Sequence, residues 1–208
     1  MFSNSIISPL GANVNFLYWE RNIGSEMLPK VSLIWLNYNS EFETDKRRIR
    51  RELGIAEESL NSVRQLEYPN YELIILDNDS SNDNIGRVKD LISDSNLARS
   101  EVKLLRQRKN YGSAGAMNAA YGYIDKTAGY VALAHYNVIA RADYLTNLIE
   151  HMRHNPKVGA AQGIVADMDC SKLIDSAGAF LDESLDIHII FTGKPVSEIH
   201  FPFQTSYV

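Results

Sequence analysis

Cysteine is nearly missing from this chain of 208 residues. Cys170 stands alone, which excludes an internal disulfide framework and fits a reducing compartment. A small, buried or half-buried role is expected for it. Long apolar runs are missing as well; none approaches the ~20 residues that a membrane helix needs. There is no basic excess: 21 Lys and Arg face 26 Asp and Glu, a net charge of -5, so bulk attraction to nucleic acid is not expected. Two glycine fingerprints are lacking. Without G-x-G-x-x-G a nicotinamide enzyme is disfavoured, and without G-x-x-x-x-G-K-[ST] the chain is not a P-loop protein. The first 29 residues have no basic start and no sustained apolar core, so they do not read as a secretory signal. No internal repeat or low-complexity tract occurs.

What is present is ordinary for a folded protein: 45% hydrophobic and 23% charged residues, enough for one full domain with a good core. Residues 30–36, 72–76, 101–105, 130–134 and 158–165 carry apolar clusters of strand length. Between them, residues 56–66, 83–93, 113–123 and 142–152 place apolar side chains at helical spacing, with Asp83 expected as the N-cap of the second helix. This alternation predicts an α/β fold: three layers around a doubly wound, mainly parallel sheet. After residue 166 the rhythm changes; residues 174–181 and 187–191 are expected to be strands joined by an acidic turn. Residues 1–30 are expected to be an extension packed on the domain, with residues 16–19 a short edge strand or an adhesive flap. Residues 46–51 hold five cations in six positions. A solvated helix face is the favoured reading, and an anchor for a diphosphate or an anionic lipid surface is the alternative.

Three polar stretches follow strand-like runs and precede helical segments. They are Leu36, Asn37, Tyr38, Asn39 and Ser40; the run from Asp77 to Asp83; and the run from Asn110 to Asn118. In an open α/β sheet such stretches lie at the carboxyl ends of neighbouring strands, where ligands bind. Tyr38 can stack on a base, or be a packed loop tyrosine. Asp77 can accept hydrogen bonds from a base or ribose, or simply cap the turn after it. Gly112 and Gly115 allow close backbone approach to a ligand, and Asn110 and Asn118 add side-chain amides; the alternative is a helix start packed tightly on the sheet.

Taken in this order, residues 31–40, 68–80 and 110–118 resemble the nucleotide-sugar half of a family 2 glycosyltransferase of the GT-A fold, and residues 155–160 resemble the turn and strand after that family's metal motif. The resemblance covers residues 31–165. It implies a nucleotide-sugar-binding α/β domain there, with residues 166–208 beginning an acceptor-side region. It also implies inverting transfer of a sugar to a glycan, lipid-linked or other hydroxyl acceptor. Positions Leu36 and Tyr38 would line the base, Asp77 would bind base or ribose, and the segment from Asn110 through Gly112 and Gly115 to Asn118 would lie beside the diphosphate and sugar. A nucleotidyltransferase, whose sheet is similar, would want a glycine-rich basic loop where Asn37 to Ser40 stand.

The D-x-D-like motif that would hold Mg²⁺ or Mn²⁺ is replaced by His135, Tyr136 and Asn137, with no carboxylate. His135 and Asn137 are the remaining candidate metal ligands. Their neutral donors weaken binding of a bare dication, while a metal already complexed to the donor diphosphate could still dock. Arg106, Arg108 and Lys109 are cations available to share the charge. No catalytic base is assigned: Asp167, Asp169 and Asp175 read as turn residues, and the family's base comes from the acceptor half, which is barely begun by Val208. A shortened piece or a natural short form is therefore expected, as is a non-catalytic nucleotide-binding or scaffold relative if turnover is lost. A cytoplasmic location is expected, with the membrane surface as a variant of it. Oligomer formation through the aromatics at residues 16–19 and 201–203 is left open.

Overall fold

The computed structural model describes residues 15–18, 28–38, 46–93, 101–168 and 170–199. It divides into two compact units, residues 1–161 and 162–208.

In the first unit, five strands form one sheet: β1 (Asn15–Tyr18), β2 (Val31–Asn37), β3 (Tyr71–Asp77), β4 (Val102–Arg106) and β5 (Tyr130–His135). Their order is β1-β5-β2-β3-β4. The pairings β5-β2, β2-β3 and β3-β4 are parallel, and β1 runs antiparallel along the outer side of β5. Residues 15–18 are thus an edge strand; Trp19 lies outside the described residues. Every residue of β2 and β3 is buried. That is why both read as continuous apolar runs: a parallel strand with helices on both faces has no wet side.

The period of two then divides the side chains between two cores. Val31, Leu33 and Trp35 of β2, Leu73 and Ile75 of β3, and Ala132 and Ala134 of β5 face three helices: α1 (Lys46–Arg64), α2 (Asn82–Ser93) and α4 (Tyr144–His154). Ala56, Leu60 and Val63 of α1, Ile85 and Val88 of α2, and Leu145, Ile149 and Met152 of α4 fill that side. On the other face Ile34, Leu36, Ile74, Leu76, Val131 and Leu133 meet Ala116, Met117 and Ala120 of α3 (Gly112–Tyr121). The expected three-layer, mainly parallel architecture is present. The cationic run 46–51 lies in the first turns of α1, ahead of the helix expected at 56–66; Arg51 is exposed, and the side chains of 46–50 are outside the described residues.

Three expectations need correction, the third of them in the second unit. Asp83 is not the N-cap of α2. Ser81 takes that place, its Oγ accepting the Asn84 N–H at 3.3 Å and its carbonyl accepting the Ile85 N–H at 3.1 Å. Residues 158–164 form no strand. Only Val165–Ala166 (β6) pairs, and it pairs within the second unit. Gly159, Ala160, Ala161 and Gly163 offer little side-chain surface for a pleated ladder to bury.

In the second unit, β6 pairs antiparallel with β7 (Ile174–Ser176), and β8 (Ala179–Leu181) forms a hairpin with β9 (Ile187–Ile189). The acidic turn between the last two is closed by Asp182, whose Oδ1 accepts the N–H groups of Ser184 at 2.9 Å and Asp186 at 3.0 Å. Cys170 is exposed, contrary to expectation, in a turn whose amide is held by Asp167 at 2.7 Å. Among the described residues no helix is long and apolar enough to cross a membrane.

Candidate functional site

The strand order places the ends of β5, β2, β3 and β4 side by side, and each motif stretch begins at one of those ends. Side chains and backbone then join the stretches. At the end of β2, Asn37 is fully buried, and its Nδ2 donates to Asp77 Oδ1 at 2.8 Å, to Ser80 Oγ at 3.1 Å and to Asn84 Oδ1. Asp77 Oδ2 accepts the Ser80 N–H at 3.3 Å and pairs with Arg106 Nε of β4 at 3.3 Å. One step on, Asn78 Nδ2 donates to Asn110 Oδ1 at 2.8 Å, while its Oδ1 accepts the Tyr111 N–H at 3.1 Å. On the other flank the Tyr136 N–H donates to the Leu36 carbonyl at 2.9 Å. All four stretches are therefore held at one edge of the sheet.

The expected site residues are placed as follows. Asp77 is fully buried and bonded inward. Its carboxylate spans the β3 turn, β2 and Arg106. Leu36 is 2% exposed and packs in the core under α3, which leaves its backbone as its contribution at this edge. Tyr38 is half-buried at the exit of β2; Asn39 and Ser40 lie outside the described residues. Asn110 is fixed by Asn78, whereas Asn118 is exposed farther along α3. Arg106 is committed, donating also to the Ser80 carbonyl at 3.0 Å. Arg108 and Lys109 are exposed, with the Lys109 ammonium 4.8 Å over the Tyr111 ring. Asn78, the link between the second and third stretches, was not singled out from sequence. Its place directly after the last strand residue was the available signal.

Gly112 adopts φ +71° at the start of α3, and its N–H donates to Asn110 Oδ1 at 2.7 Å. A side chain there is strained whatever space surrounds it. Gly112→Ala is expected to lower stability by about 1 kcal/mol, read from the urea midpoint. An unchanged midpoint would show that the loop relaxes freely.

His135 and Asn137 flank a turn closed by the Val138 N–H donating to the His135 carbonyl at 3.1 Å. Burial holds the His135 imidazole below its usual pKa of 6.5. Asn137 Oδ1 is buried and has no hydrogen-bond partner. Among the described residues no group of three or more His, Cys, Asp and Glu is placed to hold a metal ion. One imidazole and one neutral carbonyl do not make a site for a hard dication. The residues at the end of β5 do not fit the Mg²⁺ or Mn²⁺ that the family resemblance implies.

Residues 49–204 match the family model described as Glycosyl transferase family 2. Over 107 residues the chain is 31% identical to a poly-beta-1,6-N-acetyl-D-glucosamine synthase of Staphylococcus aureus (strain COL), covering 51% of this chain and 24% of that protein. The chain thus spans about a quarter of the length of the curated relatives it matches. Among solved structures, a mannosyltransferase of Pyrobaculum calidifontis in complex with GDP-Man and Mn²⁺ is similar with a TM-score of 0.54 at 20% identity, covering 68% of this chain and 37% of that one. That likeness is one of fold, the GT-A fold.

Proposed function

The chain belongs to glycosyl transferase family 2, and from that premise we propose that its first unit binds the nucleoside diphosphate of an activated sugar for transfer to an acceptor hydroxyl. The observation that supports this most is the continuous hydrogen-bonded line from Asn37 through Asp77 and from Asn78 to Asn110 and Tyr111. It gathers the three motif stretches at the carboxyl edge of a parallel sheet, where α/β folds bind nucleotides. In this proposal Tyr38 stacks on the base. Asp77 and Asn37 hold the turn that receives the base and ribose. The segment from Asn110 to Gly115 approaches the diphosphate and sugar with its backbone, and Arg108 and Lys109 offset the negative charge of the leaving group.

The transfer proposed is a single in-line displacement with inversion. The acceptor oxygen forms a bond to the anomeric carbon as the bond to the diphosphate oxygen breaks, and the hydroxyl proton passes to a base. No residue is assigned as that base. The acceptor class stays as the sequence suggests: a glycan, a lipid-linked sugar or another hydroxyl. A cytoplasmic location belongs to the same proposal.

Differential scanning with UDP, GDP and dTDP at millimolar concentration tests donor binding. A ligand present at a hundred times its Kd stabilises the fold by about 2.7 kcal/mol. A rise in Tm of several degrees is expected with one of the three; no rise with any of them would reject the proposal. The neutral residues at the end of β5 support a second reading, a binding or scaffold relative without turnover. It would show the same thermal rise, and no sugar transfer or hydrolysis by the full-length protein.

A further inference from the structure

We propose that the donor is held without a bridging divalent cation, and that Asn137 contacts it directly through its side-chain amide. This rests on the donor-binding function above and concerns how that same site works. Among the described residues no group of acids at the carboxyl edge is placed to replace the missing motif. Asp77 is buried against Asn37, Ser80 and Arg106. Asp143 is bonded at 3.1 Å to both Nε and Nη2 of Arg141. Asp79 is exposed in a left-handed turn, φ +67°. At the end of β5 a dication meets the neutral donors His135 and Asn137, and dehydration of a hard ion is not offset by them.

Asn137 Oδ1 is a buried acceptor without a donor, an arrangement that folded proteins keep rare. A phosphate oxygen cannot supply what it lacks, because both are acceptors. A sugar or ribose hydroxyl can, once the turn yields to the ligand, and the Nδ2 of the same amide can then donate to an anionic oxygen. One neutral side chain thereby replaces the charge bridge with two hydrogen bonds of complementary polarity. His135 stands at the head of the same turn.

The experiment is calorimetric titration of the full chain with the nucleoside diphosphate that raises its Tm, and with the corresponding nucleotide sugar, each in Mn²⁺ and in EDTA. The wild-type Kd values are expected to agree within about twofold between the two buffers. Asn137→Ala is expected to weaken the nucleotide sugar about fivefold or more in both buffers. The double variant H135D/N137D, checked for folding by its ligand-free melting curve, is expected to bind about tenfold more tightly in Mn²⁺ than in EDTA. Wild-type binding that needs Mn²⁺, or is tightened about tenfold by it, overturns the cation-free site while leaving donor binding intact. An Asn137→Ala variant with unchanged affinity overturns the direct contact. Absence of binding in both buffers overturns the donor function and this inference together.

Discussion

An Asp77→Ala variant is expected to lose about 3 kcal/mol of stability, the worth of two hydrogen bonds to a charged group, and to lose its thermal response to nucleoside diphosphates. The carboxylate is wholly buried, and it holds Asn37 at 2.8 Å, the Ser80 N–H at 3.3 Å and Arg106 at 3.3 Å. Removing it leaves the Asn37 amide held by Ser80 and Asn84 alone, takes the acceptor from the Ser80 N–H and lets Arg106 swing to water. Ser80 then no longer closes the turn that brings Asn78 up to Asn110. A domain holds only about 5–15 kcal/mol in total, so the loss is large in a urea titration. Asp77→Asn keeps one acceptor oxygen and is expected to fall between the two. A wild-type urea midpoint for Asp77→Ala would show that the turn is held by something else. A normal midpoint with the nucleotide response gone would instead make Asp77 a direct ligand contact.

The second large effect lies at the opposite end of the sheet. Glu72 is fully buried near the start of β3. Its carboxylate accepts hydrogen bonds from Ser32 Oγ at 2.5 Å, Lys103 Nζ at 2.8 Å and the Asp125 N–H at 2.6 Å. Asp125 in turn pairs with Lys30 at 2.5 Å. Burial alone would push the Glu72 carboxyl up, but the hydrogen bonds from Lys103, Ser32 and the Asp125 amide outweigh it and hold it below its usual 4.5. Asp125 is also held low, first by its hydrogen bond to Lys30. With folded values lowered, both acids stabilise the fold above the ordinary carboxylate range and lose that contribution as pH falls through it. The wild type is therefore expected to lose stability as pH drops below 4.5. Glu72→Ala is expected to cost about 3–5 kcal/mol at pH 7, since the buried Ser32 hydroxyl and the Lys103 ammonium lose their shared acceptor. Glu72→Gln should flatten the acid limb. Urea midpoints at pH 7 and pH 4 check both, and parallel pH profiles for wild type and Glu72→Gln would exclude Glu72 as the titrating group.

Much of the architecture was legible because buried parallel strands leave no polar alternation to misread. β2 and β3 were found nearly to the residue, and the two-faced cores follow from their period. The line of polar stretches was legible too, since each ends or follows a strand. What stayed hidden depends on register. Ser32 pairs with Glu72, and Lys103 lies beside Ile74, so residues from Lys30 to Asp125 converge only once three strands are aligned. Glu72 read from sequence as the polar first residue of a strand. The inward role of Asp77 was hidden for the same reason: its partner Asn37 is the register mate across the sheet. Residues 158–164 were misread because glycine and alanine among valines imitate the composition of a strand without its packing surface.

The sheet keeps its ionic ballast near one end and its polar loops at the other, with two dry layers flanking it. Mutational drift at the turn after β5 is thereby separated from the ion pairs at the far end. A lineage could exchange an acidic triplet for His135, Tyr136 and Asn137 and still inherit an intact frame, which then tolerates experiments in ligand choice that a more entangled site would punish by unfolding.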